Sequence, residues 1–315
     1  IDKQILANQT SWIRNISNHT NNFILSLFFY IIAVLYVNPV TFEKKIISRN
    51  KLSESFNMIC EKILFENQKS YVFKYYAKKN NNYNAIISEG KSLQYLYSKF
   101  PLIFPKVEFL NTDILVMNFI KHNNVLGDNY EKKLASTIVQ LHYIKHTNFG
   151  FDFDTPIGGL KQPCKYSNNW IKFFRENRLN MIYELINKND PMPKDINQGI
   201  ENILKNLHNI IPSNPKPSLI HGDLWEGNIL FNDGELKGLI DPGIHFAHNE
   251  MELAYLTFFK YVSNNFFDYY NDKIPIDKNY RDYEVVYQLY YCLLNVFLWS
   301  REYINNTRNL ILKFM

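Results

Sequence analysis

The sequence predicts an α+β fold in two lobes, a small strand-rich one followed by a larger helical one. Three observations carry this. Residues 61–75 place two apolar runs, Ile63-Leu64-Phe65 and Tyr71-Val72-Phe73, on either side of Asn67-Gln68-Lys69, which reads as a β-hairpin. From about Asn129 the apolar residues recur at helical spacing, as in Leu134, Ile138 and Leu141. Residues 229–240 interrupt that spacing with two short apolar runs around Asn232-Asp233-Gly234, a hairpin signal. The chain has 315 residues, 46% apolar and 21% charged, enough for two lobes with a sizeable core.

In chain order, residues 1–40 form an extension ahead of the folded region. Within it, residues 23–37 (FILSLFFYIIAVLYV) are uncharged and mostly apolar. That run is shorter than the ~20 residues a spanning helix needs, so burial is favoured over membrane contact. The basic residues after it (Lys44, Lys45, Arg49, Lys51) outnumber those before it, so an anchor would leave the following domain in the cytoplasm. Residues 41–120 form the N-lobe: the hairpin, a helix carrying Ile86, Ile87, Leu93 and Leu96, and a buried strand over 114–120. Residues 121–315 form the C-lobe. Helices are expected over 170–186 and 200–211. The chain is expected to be helical from Asp241 to its end, including 287–298 and 303–314.

The net charge of +5, from 35 basic and 30 acidic side chains, is too small and dispersed to argue for nucleic acid. Three scattered cysteines, Cys60, Cys164 and Cys292, fit reduced thiols in a cytoplasmic protein better than a disulfide framework. His245 and His248 lie three apart with no third ligand nearby, and His142 and His146 lack the glutamate of a HExxH site, so neither pair predicts a metal centre.

The chemistry concentrates in His221-Gly222-Asp223-Leu224-Trp225-Glu226-Gly227-Asn228 and in Asp241. Phosphoryl transfer needs a positioned hydroxyl, positioned phosphates and neutralised charge. An Asp followed after four residues by Asn, with a second Asp beyond a hairpin, supplies those parts. Asp223 is the expected proton acceptor. Asn228 and Asp241 would supply hard oxygen ligands to the Mg²⁺ that accompanies ATP phosphates. Upstream, Lys74 at the end of the hairpin strand and Glu89 on the next helix match a phosphate-binding lysine and its partner. The backbone of Asn118, Phe119 and Ile120 would meet the adenine.

These residues resemble the fructosamine (ketosamine-3-) kinase family, whose fold is similar to that of aminoglycoside and choline kinases. The octapeptide matches that family's HGDLWxGN signature, and Ile240-Asp241-Pro242, 248–254 (HNEMELA), 150–153 (GFDF) and Gln162-Pro163 look like its other blocks. The resemblance implies a two-lobed protein-kinase-like fold and Mg²⁺- and ATP-dependent phosphorylation of the sugar O3 of a free or protein-bound ketosamine, leading to deglycation. It implies substrate contacts for Trp225, His221 and Gln162. Two alternatives stay open: a kinase of another hydroxylated substrate (aminoglycoside, choline or sugar), and a pseudokinase that only binds. Three departures stand out. The loop expected to cover the phosphates, 52–57 (LSESFN), lacks the family's glycines, leaving Ser53 and Ser55 as donors and Glu54 as a source of repulsion if it faces inward. Cys164 replaces an Asn, and Glu252 replaces an Asp.

Overall fold

The computed structural model describes residues 45–78 and 83–314; the apolar run at 23–37 lies outside the described residues. The strand-rich part is one antiparallel sheet of β1 (Ile46–Ser55), β2 (Met58–Phe65), β3 (Ser70–Tyr76), β4 (Val107–Leu110) and β5 (Ile114–Asn118), in the order β1-β2-β3-β5-β4. The expected β2–β3 hairpin is present, pairing Ile63 with Tyr71 and Cys60 with Lys74. The last strand stops at Asn118, two residues short of the expected end.

Alternation fixes what each face does. Ile63, Phe65, Tyr71, Phe73, Ile114 and Val116 point to one side and form their own small core. Val72, Leu115 and Met117 point to the other and join the main core, and Lys74 shares that side. Helix α1 (Ala85–Lys99) covers it, its first turn capped by the Asn84 side chain accepting from Ile87 N (3.0 Å).

The helical part contains α2 (Tyr130–His142), α3 (Trp170–Phe174), α4 (Asn180–Asn189), α5 (Lys194–Ile210), α6 (Asn249–Phe258), α7 (Asn264–Asn271), α8 (Tyr280–Leu298) and α9 (Tyr303–Ile311). The helix expected over 170–186 is divided by a π-turn, Arg175–Leu179. On α5, Ile196, Ile200, Ile203 and Leu207 line the single apolar face that docks it. Helix α6 is buried from Asn249 to Leu256, as befits an element enclosed by its neighbours.

Short hairpins lie among these helices: β6 (Thr155–Ile157) with β7 (Leu160–Gln162), β8 (Pro217–Ile220) with β11 (His245–His248), and β9 (Ile229–Asn232) with β10 (Glu235–Leu239). The β9–β10 turn is the expected one, with Asp233 and Gly234 both at positive φ. The chain is therefore not helical throughout after Asp241, because β11 returns to pair His245 with Ile220. That pairing fastens together the two loops that hold Asp223 and Asp241. Among the described residues no helix is long and apolar enough to cross a membrane.

Candidate active site

A cleft of about 520 Å³ runs between the sheet and the helical part. Lys74 enters it from the middle of β3. Its Nζ donates to Glu89 Oε1 (2.7 Å), Glu89 Oε2 (2.9 Å) and Asp241 Oδ1 (3.0 Å). Glu89 reaches this point because it sits in the buried stripe of α1 with Ile86, Leu93 and Leu96. Burial works to lower the Lys74 pKa, but Asp241 and Glu89 outweigh it and hold the ammonium charged. Asp241 occupies a left-handed backbone conformation (φ 55°), a strain of the kind found where function dictates the geometry. Its side chain remains 41% exposed.

The loop after β8 supplies the opposite wall. Gly222 has φ 86°, and a Cβ there would stand 2.2 Å from Gly243 O, so only glycine lets this loop pass the Asp241 loop. Gly243 N donates to His221 O (2.9 Å) and Ile240 N to Asn228 O (3.1 Å), locking the two together. Asn228 donates through Nδ2 to Asp223 O (2.8 Å), which leaves its Oδ1 for a cation. Burial first, and Asp241 second, push the Asp223 carboxyl up to about 7, while hydrogen bonds from Tyr255 and Asn228 pull the other way.

Behind this loop, Glu252 accepts from His221 N (3.2 Å) and Gly222 N (2.8 Å), and its Oε2 lies 2.9 Å from His142 Nε2. Burial works against the Glu252 charge, but the His142 contacts and the Gly222 N–H keep its pKa below the usual value. His142 Nδ1 in turn meets Tyr270 OH (2.7 Å).

The β1–β2 turn forms the roof. Phe56 (φ 50°) and Asn57 (φ 62°) make a two-residue turn without glycine. The Asn57 side chain bonds both Lys78 N (3.1 Å) and Lys78 O (2.8 Å). The Phe56 ring packs edge-on against Trp299 (5.0 Å between centroids) and over Gly158 and Gly159 of the β6–β7 turn. Ser53 and Ser55 line the cleft. Glu54 does not line it and pairs outside with Lys51 (2.7 Å).

Asn118, Phe119 and Ile120 border the cleft's far end. Asn118 N already donates to Lys106 O (3.0 Å) and Phe119 N to Ser70 O (3.2 Å), so of these three backbone N–H groups only that of Ile120 is not committed in this way.

On the other side of Asp223 a second cavity of about 290 Å³ opens, and Trp225 borders both spaces. Two expected substrate contacts are corrected here. His221 and Gln162 are completely buried and border neither cavity. His221 lies face to face with Phe104, and its Nδ1 accepts from Asp223 N (3.4 Å). Gln162 bridges Pro156 O (3.1 Å) and Tyr290 OH (2.8 Å). Both therefore shape the site from behind.

The histidines set aside as metal ligands are structural. His245 Nδ1 meets Gly243 O (3.0 Å), His248 Nδ1 meets Tyr287 OH (2.8 Å), and His146 stacks on Tyr166 and Phe246. The three cysteines are free. Among the described residues no group of three His, Cys, Asp or Glu could hold a metal ion by protein ligands alone. The pair Asn228 and Asp241 suits Mg²⁺, which keeps several waters and completes its shell with phosphate oxygens.

The sequence did not single out Tyr255, Phe56, Trp299 or the bracing role of Glu252 and His142. One signal was available: Glu252 and Tyr255 lie three apart on one helix just after the Asp241 loop, the spacing that turns two side chains the same way.

Comparison with known proteins bears on the fold and the family. A probable ketoamine kinase of Lactiplantibacillus plantarum is 29% identical over 181 residues, which are 56% of this chain and 64% of that protein; the match spans about three-fifths of that relative. The solved structure of a candidate fructosamine-3-kinase from Thermobifida fusca superposes with a TM-score of 0.75 at 22% identity, over 86% of this chain and 95% of the other. A ternary complex of streptomycin, ATP and the phosphotransferase APH(2")-IIa superposes with a TM-score of 0.60 at 17% identity, over 90% and 95% of the two chains. The fold is thus the two-lobed protein-kinase-like one. The sequence profile of the fructosamine kinase family matches residues 43–315, and the chain belongs to that family.

Proposed function

We propose that the protein transfers the γ-phosphate of ATP to the O3 hydroxyl of a ketosamine, free or attached to a protein, with residues 41–120 binding nucleotide and residues 121–315 supplying catalysis and acceptor binding. The observation that carries this reading is the position of Asp223. It stands where a cleft holding Lys74, Glu89, Asn228 and Asp241 meets an aromatic-walled cavity, so one carboxylate faces both a phosphate site and an acceptor site.

In this reading Lys74, held by Glu89, positions the α- and β-phosphates, and Ser53 and Ser55 donate from the roof. Ile120 N–H reads the adenine edge. Asn228 and Asp241 hold Mg²⁺, which when bound neutralises charge on the phosphates. Asp223 accepts the proton of the attacking hydroxyl, Tyr255 favours its carboxylate, and Asn228 holds its backbone carbonyl. Trp225 offers an indole face to the C–H face of the sugar. The glycine-free roof, the one feature favouring a pseudokinase, carries no repulsive charge into the cleft, since Glu54 is turned to Lys51.

The test is phosphate transfer to fructosyl-lysine by the wild type and by Asp223→Asn. Removal of the base is expected to lower kcat by about 10²–10⁴. Equal turnover by the variant would overturn the role of Asp223. A wild type that binds ATP and leaves fructosyl-lysine unchanged would overturn the substrate.

A further inference from the structure

We propose that the acceptor cavity selects by charge: it takes ketosamines whose amine carries a neutral or cationic substituent and refuses those with an anion beside the amine, and Trp299 is the position through which this preference can be changed. The inference rests on the ketosamine reading and narrows it to a class of acceptor.

The cavity meets the main cleft at Asp223, the only formally charged residue among the described residues of its lining, and none of those described residues is Lys, Arg or His. Its walls are otherwise aromatic and aliphatic, with Trp225, Phe259, Leu298 and Trp299 prominent. The few polar groups are partly committed. The Tyr255 side chain favours the Asp223 carboxylate, and Asn295 Nδ2 donates to Tyr291 O (2.8 Å). Three cations of the surrounding elements are held elsewhere. Arg301, two residues beyond Trp299, is held by Asp190 (3.0 Å) and donates to the Asp190 and Pro191 carbonyls. Lys161 of the β6–β7 hairpin pairs with Asp154 (3.4 Å), and Lys74 is held on the nucleotide side.

Acceptor geometry makes this matter. In a ketosamine the amine is separated from O3 only by C1, C2 and C3. With O3 at Asp223, the amine and its substituent must lie inside this cavity or at its mouth. A carboxylate there would meet a second carboxylate across apolar walls with no cation among the described lining residues to offset it, and the low local dielectric enlarges that repulsion. A protonated amine is attracted instead by Asp223 and by indole faces. Trp299 is 61% exposed, an unusual state for so large an aromatic ring, and it is held at the mouth by the edge-on contact with Phe56.

The matched probes are fructosyl-glycinamide and fructosyl-glycine, which differ in a carboxamide against a carboxylate. The wild type is expected to turn over the amide with kcat/KM at least about tenfold higher, the scale of one uncompensated like-charge contact. Trp299→Arg is expected to narrow or reverse that ratio, while Trp299→Gln weakens both substrates and leaves the ratio in place. Wild-type values within twofold of each other, or a ratio that Trp299→Arg leaves unchanged, would overturn the inference. Should neither compound be phosphorylated, the ketosamine reading itself fails at the catalytic step. Calorimetric binding of the two probes to the Mg²⁺–ADP complex then decides the charge preference: tighter binding of the amide supports it, and equal binding or none overturns it.

Discussion

Burial and the neighbouring Asp241 raise the Asp223 carboxyl from 3.8 to about 7, and this links one residue to the stability of the metal- and nucleotide-free protein. Between those two values the folded state binds more protons than the unfolded state. The contribution of this group to stability is therefore present at low pH and is lost as pH rises through about 7. Asn at the same place keeps a side-chain oxygen toward Tyr255, leaves the backbone bond from Asn228 intact and has nothing to ionise. Asp223→Asn is expected to melt higher than the wild type at pH 8, by a margin that shrinks at pH 5.5. Thermal melts without metal or nucleotide check this, and a margin independent of pH would remove burial as the source of the shift. The residue needed for proton transfer would then be one the apo fold is more stable without, a common trade at active sites.

The β1–β2 hairpin shows how an element can keep a geometry its residues resist. A two-residue turn with both φ angles positive suits Asn57 and strains Phe56, since a bulky side chain disfavours that region. The strain is offset across the cleft, where the Phe56 ring meets Trp299 and rests over Gly158 and Gly159. A Cβ on Gly159, itself at φ 77°, would stand 2.8 Å from Phe56 Cβ. Gly159→Ala therefore displaces the roof from the opposite side of the cleft. Phe56→Ala and Gly159→Ala are each expected to raise KM for ATP by roughly two- to tenfold, the worth of one aromatic contact. The double variant is expected to lose less than the sum of the two. Steady-state kinetics as a double-mutant cycle measure this, and strictly additive losses would mean that the turn and the hairpin act independently.

At the scale of the whole molecule, one carboxylate joins separate parts of the chain. Glu252 on α6 holds the backbone of the Asp223 loop and pairs with His142 on α2, which leans on Tyr270 of α7. The extra methylene of Glu252 over the Asp expected there is accommodated with both oxygens still bonded. Glu252→Ala leaves two buried backbone N–H groups without their acceptor and is expected to cost roughly 2–5 kcal/mol, at about 1–3 kcal/mol for each unsatisfied donor. It should also lower kcat more than it changes KM for ATP, because Lys74 and Glu89 do not depend on it. Urea unfolding with parallel kinetics tests both parts. A loss below about 1 kcal/mol would show that the loop holds its own shape.

What the sequence by itself determined was whatever is coded locally. The β2–β3 and β9–β10 hairpins, helices α1, α8 and α9, and the spacing that places Asp223, Asn228 and Asp241 around a hairpin follow from periodicity and turn residues close together in the chain. Lys74 and Glu89 were legible because each sits on a regular element whose period fixes the direction of its side chain. Only the tertiary structure decided the rest. Strands β8 and β11 have four residues each and exist because they pair across an intervening hairpin, a contact no local pattern announces. Strand β1 is mostly exposed and lacks a clear apolar alternation, so its pairing with β2 defines it. His221 and Gln162 look like ligand contacts in the chain, yet burial turns them into supports, and the exposed Trp299 becomes part of the site because α8 ends where the Phe56 turn comes down. Side-chain chemistry is written residue by residue, but which surface a residue faces is settled only when distant elements pack.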